Sequence, residues 1–223
     1  DPVKLALMAE RAGADGITAH LREDRRHISD MDIRDLLKEI SLPLNLEIAP
    51  TPEMLGIALN CRPNACCIVP EKRKELTTEG GLDVKGLYTH LLPYVEKLMK
   101  VGCRVSLFID PDLEQVKASS EIGASTIEIH TGQYCDLSGG RRQEELNRII
   151  KAAKLGHSLG LEIHAGHGLN YDTVEDIAAI PEIMELNIGH FLIGEAIFFG
   201  LDSTIIKMRA LMDKGRSRIK KNK

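Results

Sequence analysis

The feature that most constrains the fold is a repeat in which a helical stretch ends in glycine and an apolar run follows within a few residues. Examples are ERAGADGITAHL, MKVGCRVSLFID, SEIGASTIEIHTG and HSLGLEIHAGHG. Glycine suits the C-terminus of a helix because it adopts the left-handed conformation without strain. The alternation of helical and strand patterns predicts βα units, and therefore a parallel sheet covered by helices.

Seven apolar runs in this repeat have the length of buried strands. They are GITAHL (16–21), LNLEIA (44–49), ACCIVP (65–70), RVSLFI (104–109), TIEIHT (126–131), LEIHAG (161–166) and LNIGHFLI (186–193). A parallel barrel of the common kind closes with eight strands, and the chain opens on Asp1-Pro2, a typical helix start. We therefore expect one (β/α)8 barrel domain over residues 1–223, with its first strand upstream of residue 1. An open, doubly wound sheet is the alternative, because it needs no eighth strand.

The amino-acid composition limits which binding partners and which cellular compartment we expect for this chain. The net charge is −4 and aromatic residues make up 4% of the chain, which gives no reason to expect a nucleic-acid partner. No apolar run approaches the ~20 residues of a membrane span. The five cysteines show no paired CxxC spacing, so we expect reduced thiols and a cytoplasmic protein with no membrane partner.

Polar residues alternate with apolar residues in five of the predicted strands. The polar set consists of Thr18 and His20, Asn45 and Glu47, Glu128 and His130, Glu162 and His164, and Asn187 and Gly189. Side chains two positions apart share a strand face, so the apolar set is expected to contact the helices and the polar set to face the barrel interior. A single Glu–His pair there can be a satisfied polar core. Several such strands favour a ligand-binding lumen, because burying many titratable groups is costly.

A burst of charge, GITAHLREDRRH (16–27), begins where the first predicted strand ends. The C-terminal ends of barrel strands are where active sites assemble. We therefore interpret this run as a loop on the catalytic face that holds an anionic substrate. An ordinary solvated loop is the alternative, since most charge runs are simply exposed.

Three further loops bear on substrate binding. Glycine-containing turns follow the last two predicted strands, at AGHGLN (165–170) and NIGHFLIGEAIFFG (187–200). In barrels of this kind the late loops and a helix N-terminus form the usual phosphate site. The long charged loop VPEKRKELTTEGGLDVKG (69–86) is either a lid or an ordinary surface excursion.

Three chemistries are compatible with these residues. A metal hydrolase would use the histidines at the barrel mouth, although no HxH motif stands at a strand end. A Schiff-base aldolase needs a lysine in the barrel, and none of the seven predicted strands carries one, so it would require Lys72 or the missing first segment. Metal-free acid–base catalysis on a phosphorylated carbonyl compound would use Glu47, Glu128, His20 and His167. A non-catalytic binding role leaves the polar lumen unexplained.

A family resemblance is carried by seven segments: ADGITAHLREDRRHI, NLEIA, VPEKRKELTTEGGLDV, SLFID, IEIHTG, HAGHGLNY and ELNIGHFLIGEAI. They span essentially the whole chain and closely resemble the pyridoxine 5′-phosphate synthase family of the deoxyxylulose-phosphate-dependent vitamin B6 pathway. The resemblance implies a (β/α)8 barrel, assembly into homo-octamers built from dimers, and no metal or cofactor. It also implies condensation of 1-deoxy-D-xylulose 5-phosphate with 3-amino-2-oxopropyl phosphate. The Schiff base then uses the substrate's own amine, which accounts for the absent lysine.

The same resemblance implies roles for individual residues. His20 and Glu47 match proton acceptors, His167 matches a proton donor, and Glu128 matches a residue that stabilises developing charge. Contacts to the deoxyxylulose phosphate are implied for Arg22, His27 and Thr77, and contacts to the aminoketone phosphate for Gly168, Gly189 and His190. The family also opens with a strand that contacts both substrates. No segment of this sequence corresponds to it, so we expect that strand upstream of residue 1.

Overall fold

The computed structural model describes residues 1–71 and 80–221 of the chain, with the backbone alone at 220 and 221. Its described part contains one sheet of seven parallel strands, hydrogen-bonded in chain order from the first to the last. The strands are β1 (Ile17–His20), β2 (Leu44–Ile48), β3 (Ala65–Ile68), β4 (Arg104–Ile109), β5 (Thr126–His130), β6 (Glu162–Gly166) and β7 (Ile183–Asn187). A doubly wound sheet reverses its strand order at a switch point. The unbroken order therefore confirms the barrel prediction and excludes the doubly wound alternative.

The sheet curls so that its first and last strands approach each other. The Thr18 hydroxyl on β1 donates a hydrogen bond of 2.8 Å to the side-chain oxygen of Asn187 on β7. Such a bond between the two edge strands requires most of a barrel's curvature. The architecture is thus that of a (β/α)8 barrel with seven strands in the described residues. The strand expected before residue 1 lies outside this sequence and stays a prediction.

Helices separate the strands along the described chain. They are α1 (Pro2–Arg11), α2 (Asp30–Glu39), α3 (Pro52–Cys61), α4 (Tyr88–Lys100), α5 (Leu113–Glu121), α6 (Gly132–Asp136), α7 (Gly139–Ser158), α8 (Val174–Ala178), α9 (His190–Phe199) and α10 (Leu201–Lys221). Local sequence fixes several of their starts. The Asp1 carboxylate accepts from the Lys4 amide at 3.0 Å, as the opening Asp-Pro predicts. Ser29 and Asp32 form a reciprocal capping box at α2.

The apolar core lies between the outer face of the sheet and the helices. Ile127 on β5 and Ile163 on β6 are fully buried, and both face α7. A Cβ atom built on Gly156 of that helix would lie 2.6 Å from the Ile163 side chain and 3.1 Å from the Ile127 side chain. Glycine therefore lets α7 approach the sheet closely. Burying each of these isoleucines contributes about 1.5–3 kcal/mol.

The last predicted strand is misplaced. Sequence reasoning puts it at 186–193, but β7 ends at Asn187 and α9 begins at His190. The run GHFLIGEAIFF is apolar on every side, and such a run is ambiguous between a strand and a helix. The true strand is the preceding IMELN. As a result His190 opens a helix and does not close a strand.

Two absences hold for the described residues. No helix among them is both long enough and apolar enough to cross a membrane. None of the five cysteines forms a disulfide, and Cys66, Cys67 and Cys103 are buried.

Candidate active site

His20 and Glu47 lie side by side at the C-terminal ends of β1 and β2, where the parallel register pairs them directly. The His20 Nδ1 atom is 3.7 Å from a Glu47 carboxylate oxygen, and its Nε2 atom is 3.5 Å from an oxygen of Glu71. Burial, together with the charge of Arg22, lowers the pKa of His20 to about 4. The imidazole is therefore neutral near pH 7 and can accept a proton.

Two carboxyl groups face each other across the lumen with a thiol between them. One ligand-type atom each from Glu47, Cys67 and Glu128 lies within 4.8 Å of the other two. Burial raises the pKa of Glu47 to about 7. Burial and the neighbouring Glu47 raise the pKa of Glu128 well above its usual range. Near neutral pH one group is protonated while the other exchanges its proton readily, which is the arrangement that acid–base catalysis needs.

The same three groups are the residues that could hold a metal ion in the described chain. Cation binding requires deprotonated ligands. Burial raises the pKa of the Cys67 thiol well above its usual range, and the pKa values of both carboxyls are also raised. A cation would have to displace these protons, so the cluster is better suited to proton transfer.

A chain of hydrogen bonds holds Glu128 from the far side of the lumen. The Asn187 amide donates to Glu128 at 2.8 Å, and the Thr18 hydroxyl donates to Asn187 at 2.8 Å. The Asn45 amide reaches the Thr18 oxygen at 3.4 Å. These contacts confirm that the polar residues of β1, β2, β5 and β7 face inward, as the period-two pattern predicts.

A second polar cluster lies toward the opposite end of the strands and is fully paired. The His164 ring lies 2.7 Å from Glu162 and 3.3 Å from Glu185. Arg104, the first residue of β4, pairs with both glutamates at 2.9 and 3.2 Å. Here the polar-core interpretation of a Glu–His pair is the right one. The polar residues that face the lumen therefore form two groups. The group around His164 has a structural role, and the group around Glu47 and Glu128 is suited to acid–base chemistry.

The charged loop after β1 is built around a carboxylate that sequence reasoning missed. Glu71, with a side chain only 1% exposed, lies 3.7 Å from the Arg22 guanidinium. It also accepts from the Glu23 amide at 3.0 Å. Arg22 is buried and lies 3.8 Å from Asp24. Glu71 follows an apolar strand just as His20 does, and that shared position is the signal that could have found it.

The remaining basic residues of this loop are positioned differently from Arg22. Arg25 bonds to Asp30 at 2.8 Å and Arg26 bonds to Asp24 at 2.8 Å. His27 is exposed, with a left-handed φ of 70°. Thr77, the third residue predicted to contact the ketose phosphate, lies outside the described residues.

His167 and Gly168 form a tight turn directly after β6. Both have left-handed backbones, with φ of 75° and 82°. The buried Thr131 hydroxyl donates to the carbonyls of Gly166 and His167 at 2.8 and 2.6 Å. Burial, together with the nearby His130, lowers the pKa of His167. The turn thus presents a neutral imidazole to the lumen from a rigid support.

Gly189 and His190 lie at the start of α9. Gly189 is the N-cap residue and His190 is the first helical residue, and both are exposed. The first amide groups of a helix have no intrahelical partner and attract anions. The structure therefore brings His20, Glu47 and Glu128 into one cluster, with His167 on the next loop and the start of α9 following β7.

The chain is similar in sequence to a known protein family. Residues 1–214 match the family model described as pyridoxal phosphate biosynthesis protein PdxJ. The chain is similar to pyridoxine 5′-phosphate synthase of Rhodospirillum rubrum, with 63% identity over 214 residues, 96% of this chain and 86% of the relative. Identity to the Cereibacter sphaeroides enzyme of that name is 60% over 220 residues, 97% of this chain and 87% of the relative.

Similarity to solved structures concerns the fold alone. Phosphoribosyl anthranilate isomerase from Thermus thermophilus superposes with a TM-score of 0.61 over 95% of this chain and 94% of that chain. Its sequence is 13% identical.

Proposed function

The chain belongs to the pyridoxal phosphate biosynthesis protein PdxJ family, and we infer that it is a pyridoxine 5′-phosphate synthase. The reaction condenses 1-deoxy-D-xylulose 5-phosphate with 3-amino-2-oxopropyl phosphate and releases phosphate and water. One observation of the structure carries this proposal. The half-buried Glu47 carboxyl and the buried Glu128 carboxyl lie within 4.8 Å of each other, beside the neutral His20, at the barrel end where active sites assemble.

The proposed proton transfers follow from the protonation states. His20 and Glu47 accept protons, because His20 is neutral near pH 7 and Glu47 ionises at about 7. Glu128, kept protonated by burial and by Glu47, donates a hydrogen bond to negative charge that develops during ring closure. His167 donates a hydrogen bond through the one N–H group of its neutral imidazole. It donates a proton after taking one up from the substrate, because burial and the nearby His130 make its imidazolium more acidic.

The substrate phosphates are proposed to bind on opposite sides of the mouth. Arg22, with His27 and Thr77, would bind the ketose phosphate, and the buried guanidinium of Arg22 suits a charge-assisted contact. Gly168, Gly189 and His190 would bind the aminoketone phosphate. The start of α9 supports this second assignment, because free helix amides attract anions.

The ring closure is proposed to need no metal and no cofactor. The amine of the aminoketone supplies the nitrogen of the imine, so no enzyme lysine is required. The seven described strands indeed contain no lysine. The aldolase alternative therefore lacks its nucleophile among them.

The chain is further proposed to act as one barrel domain, in the cytoplasm, and as a homo-octamer. An exposed apolar patch supports association with further copies. Ile197, Phe198 and Phe199 of α9 are 79%, 78% and 66% exposed. Exposed apolar clusters of this kind commonly mark protein interfaces.

The proposed function is tested by mixing the protein with both substrates. Phosphate release and pyridoxine phosphate fluorescence should rise together and should require both compounds. Phosphate release without the fluorescent product would indicate a hydrolase. No release from the folded protein would contradict the proposal.

A further inference from the structure

A second candidate acid–base group lies on the other side of the lumen from Glu47. His130 ends β5, and Asp110 directly follows the neighbouring β4. The His130 Nδ1 atom is 3.0 Å from the Asp110 carboxylate. The same oxygen of Asp110 accepts from the Gly81 amide at 3.1 Å. The carboxylate is therefore fixed from two sides and can in turn fix the imidazole.

The other ring nitrogen of His130 has no partner within the described residues. Its Nε2 atom is buried and makes no hydrogen bond there, while the residue as a whole is only 8% exposed. The ring is held by Phe108, at 5.1 Å between centroids, and lies 5.0 Å from the ring of His167. A buried polar atom without a partner costs about 1–3 kcal/mol, so a ligand that completes its bonding is a physical reason to keep it.

Glycine at position 132 keeps a side chain away from this nitrogen. A Cβ atom built on Gly132 would be 2.6 Å from the His130 Nε2 atom and 3.1 Å from His167. Both imidazoles line a cleft of about 800 Å³, which Asp110 and Arg148 also border. That volume is in the range of small-molecule sites. A substrate bound in this cleft would therefore lie beside both histidines.

Asp110 determines which nitrogen of the neutral ring carries the hydrogen. The hydrogen bond to His130 keeps the pKa of Asp110 low, so the carboxylate is ionised and accepts the Nδ1 hydrogen. The lone pair of the ring is then on Nε2, the nitrogen without a hydrogen-bond partner in the described residues. In serine proteases an aspartate orients the catalytic imidazole in the same way.

We propose that His130 is a further catalytic residue, whose Nε2 atom accepts a proton from the aminoketone phosphate, with Asp110 as its positioning residue. The proposal rests on the proposed function and on the position of His130 beside His167 and Gly168. The carbon–hydrogen bond between the amine and the ketone breaks, and its electron pair forms the enolate. The proton moves to Nε2, where Asp110 stabilises the imidazolium. The proton later returns to a hydroxyl that leaves as water.

Substitutions of His130 separate chemistry from packing. His130→Asn keeps an amide donor near Asp110 but lacks the Nε2 atom, and His130→Gln places an amide near Nε2 that cannot accept a proton. We expect kcat to fall about 10²–10⁴-fold in both variants, the usual contribution of a general base. The KM for either substrate should change by less than about threefold.

Asp110→Ala tests the positioning role, because it removes the carboxylate that accepts the Nδ1 hydrogen. Asp35→Ala, on the exposed face of α2, is the control, since it removes one charge outside the cleft. Nitrogen-15 NMR should show the hydrogen on Nδ1 in the wild type and a larger share of it on Nε2 in Asp110→Ala. The kcat should fall in Asp110→Ala and stay near the wild-type value in the control.

The outcomes distinguish this inference from the proposed function. If the wild type forms product but His130→Asn and Asp110→Ala keep kcat within about threefold, the pair has only a structural role and the inference is wrong. A wild-type hydrogen on Nε2 would also overturn it. If the wild type forms no product from the two substrates, the proposed function and the inference fail together.

Discussion

At the scale of single residues, the raised pKa of Glu47 favours catalysis near neutral pH but lowers the stability of the folded protein there. Burial raises its pKa to about 7 from an ordinary value of 4.5. The folded state therefore holds this proton more tightly than the unfolded state does. The resulting stability is fully present below pH 4.5 and is lost as the pH rises through 7. A proton acceptor poised near neutral pH thus costs stability in the pH range where it works.

Glu47→Gln should remove this pH dependence, because the amide does not ionise. We expect the free energy of unfolding of the variant to exceed that of the wild type by about 1–3 kcal/mol at pH 8. At pH 5 the difference should be much smaller. Urea unfolding at both pH values measures it, with the exposed Glu39→Gln as control. An equal difference at both pH values would contradict the raised pKa.

Arg22→Ala should mainly weaken binding of the ketose phosphate. Loss of a charge-assisted contact corresponds to about a 10- to 100-fold rise in KM for that substrate, with a smaller change for the aminoketone. Arg22→Lys keeps the charge and should recover part of the affinity. Arg34→Ala, on the exposed face of α2, is the control. An unchanged KM would mean that Arg22 only organises the loop.

Period-two alternation predicts Glu47 and Glu128, because a strand's geometry fixes which side chains share a face. It does not predict Glu71. That carboxylate reaches His20 and Arg22 from a different loop, and no spacing within the chain encodes a contact between loops. The alternation does not predict the Asp110–His130 contact either, because the contact joins the ends of two neighbouring strands.

At the scale of elements, the glycine-ended helices and apolar runs predict all seven strands, and six of them lie within two residues of the observed bounds. The exception is the seventh, where the predicted strand covers the start of the apolar helix α9. Periodicity gives little signal in a run with so few polar residues. This difference changes the site, because Gly189 and His190 lie at the start of a helix and not within a strand.

The turn that carries His167 depends on one hydroxyl from the preceding strand's loop. Thr131→Val keeps the side-chain shape but leaves the His167 carbonyl without the Thr131 bond. We expect a loss of about 1–3 kcal/mol in the free energy of unfolding, together with a lower kcat as His167 loses its support. Thr131→Ser restores the hydroxyl and should recover both. If Thr131→Val keeps wild-type kcat, the turn does not need this bond for catalysis.

At the scale of the whole molecule, the barrel follows from the repeat because each βα unit can only bury its apolar face beside the next. The oligomeric state does not follow from the sequence in this way. The apolar sequence of α9 predicts a buried helix, but the structure leaves Ile197, Phe198 and Phe199 exposed. Sequence alone does not say whether such residues meet another element or another chain. The proposed octamer therefore needs its own measurement.

Sedimentation equilibrium should give a mass near eight times that of one subunit. The double substitution Phe198→Glu and Phe199→Glu should shift it to smaller species, because charged side chains would be buried at the apolar contact. The exposed Met99→Glu on α4 is the control. A wild-type mass of a single chain would contradict the assembly.

The measurement that tests the central claim most directly is a comparison of turnover with both substrates by the wild type, Glu47→Gln and Glu39→Gln. Glu47 is the proposed proton acceptor in the lumen, and its amide cannot take up a proton. We expect kcat to fall about 10²–10⁴-fold in Glu47→Gln, with a native circular dichroism spectrum and an unaffected control. A folded Glu47→Gln enzyme that forms pyridoxine phosphate at the wild-type rate would contradict it.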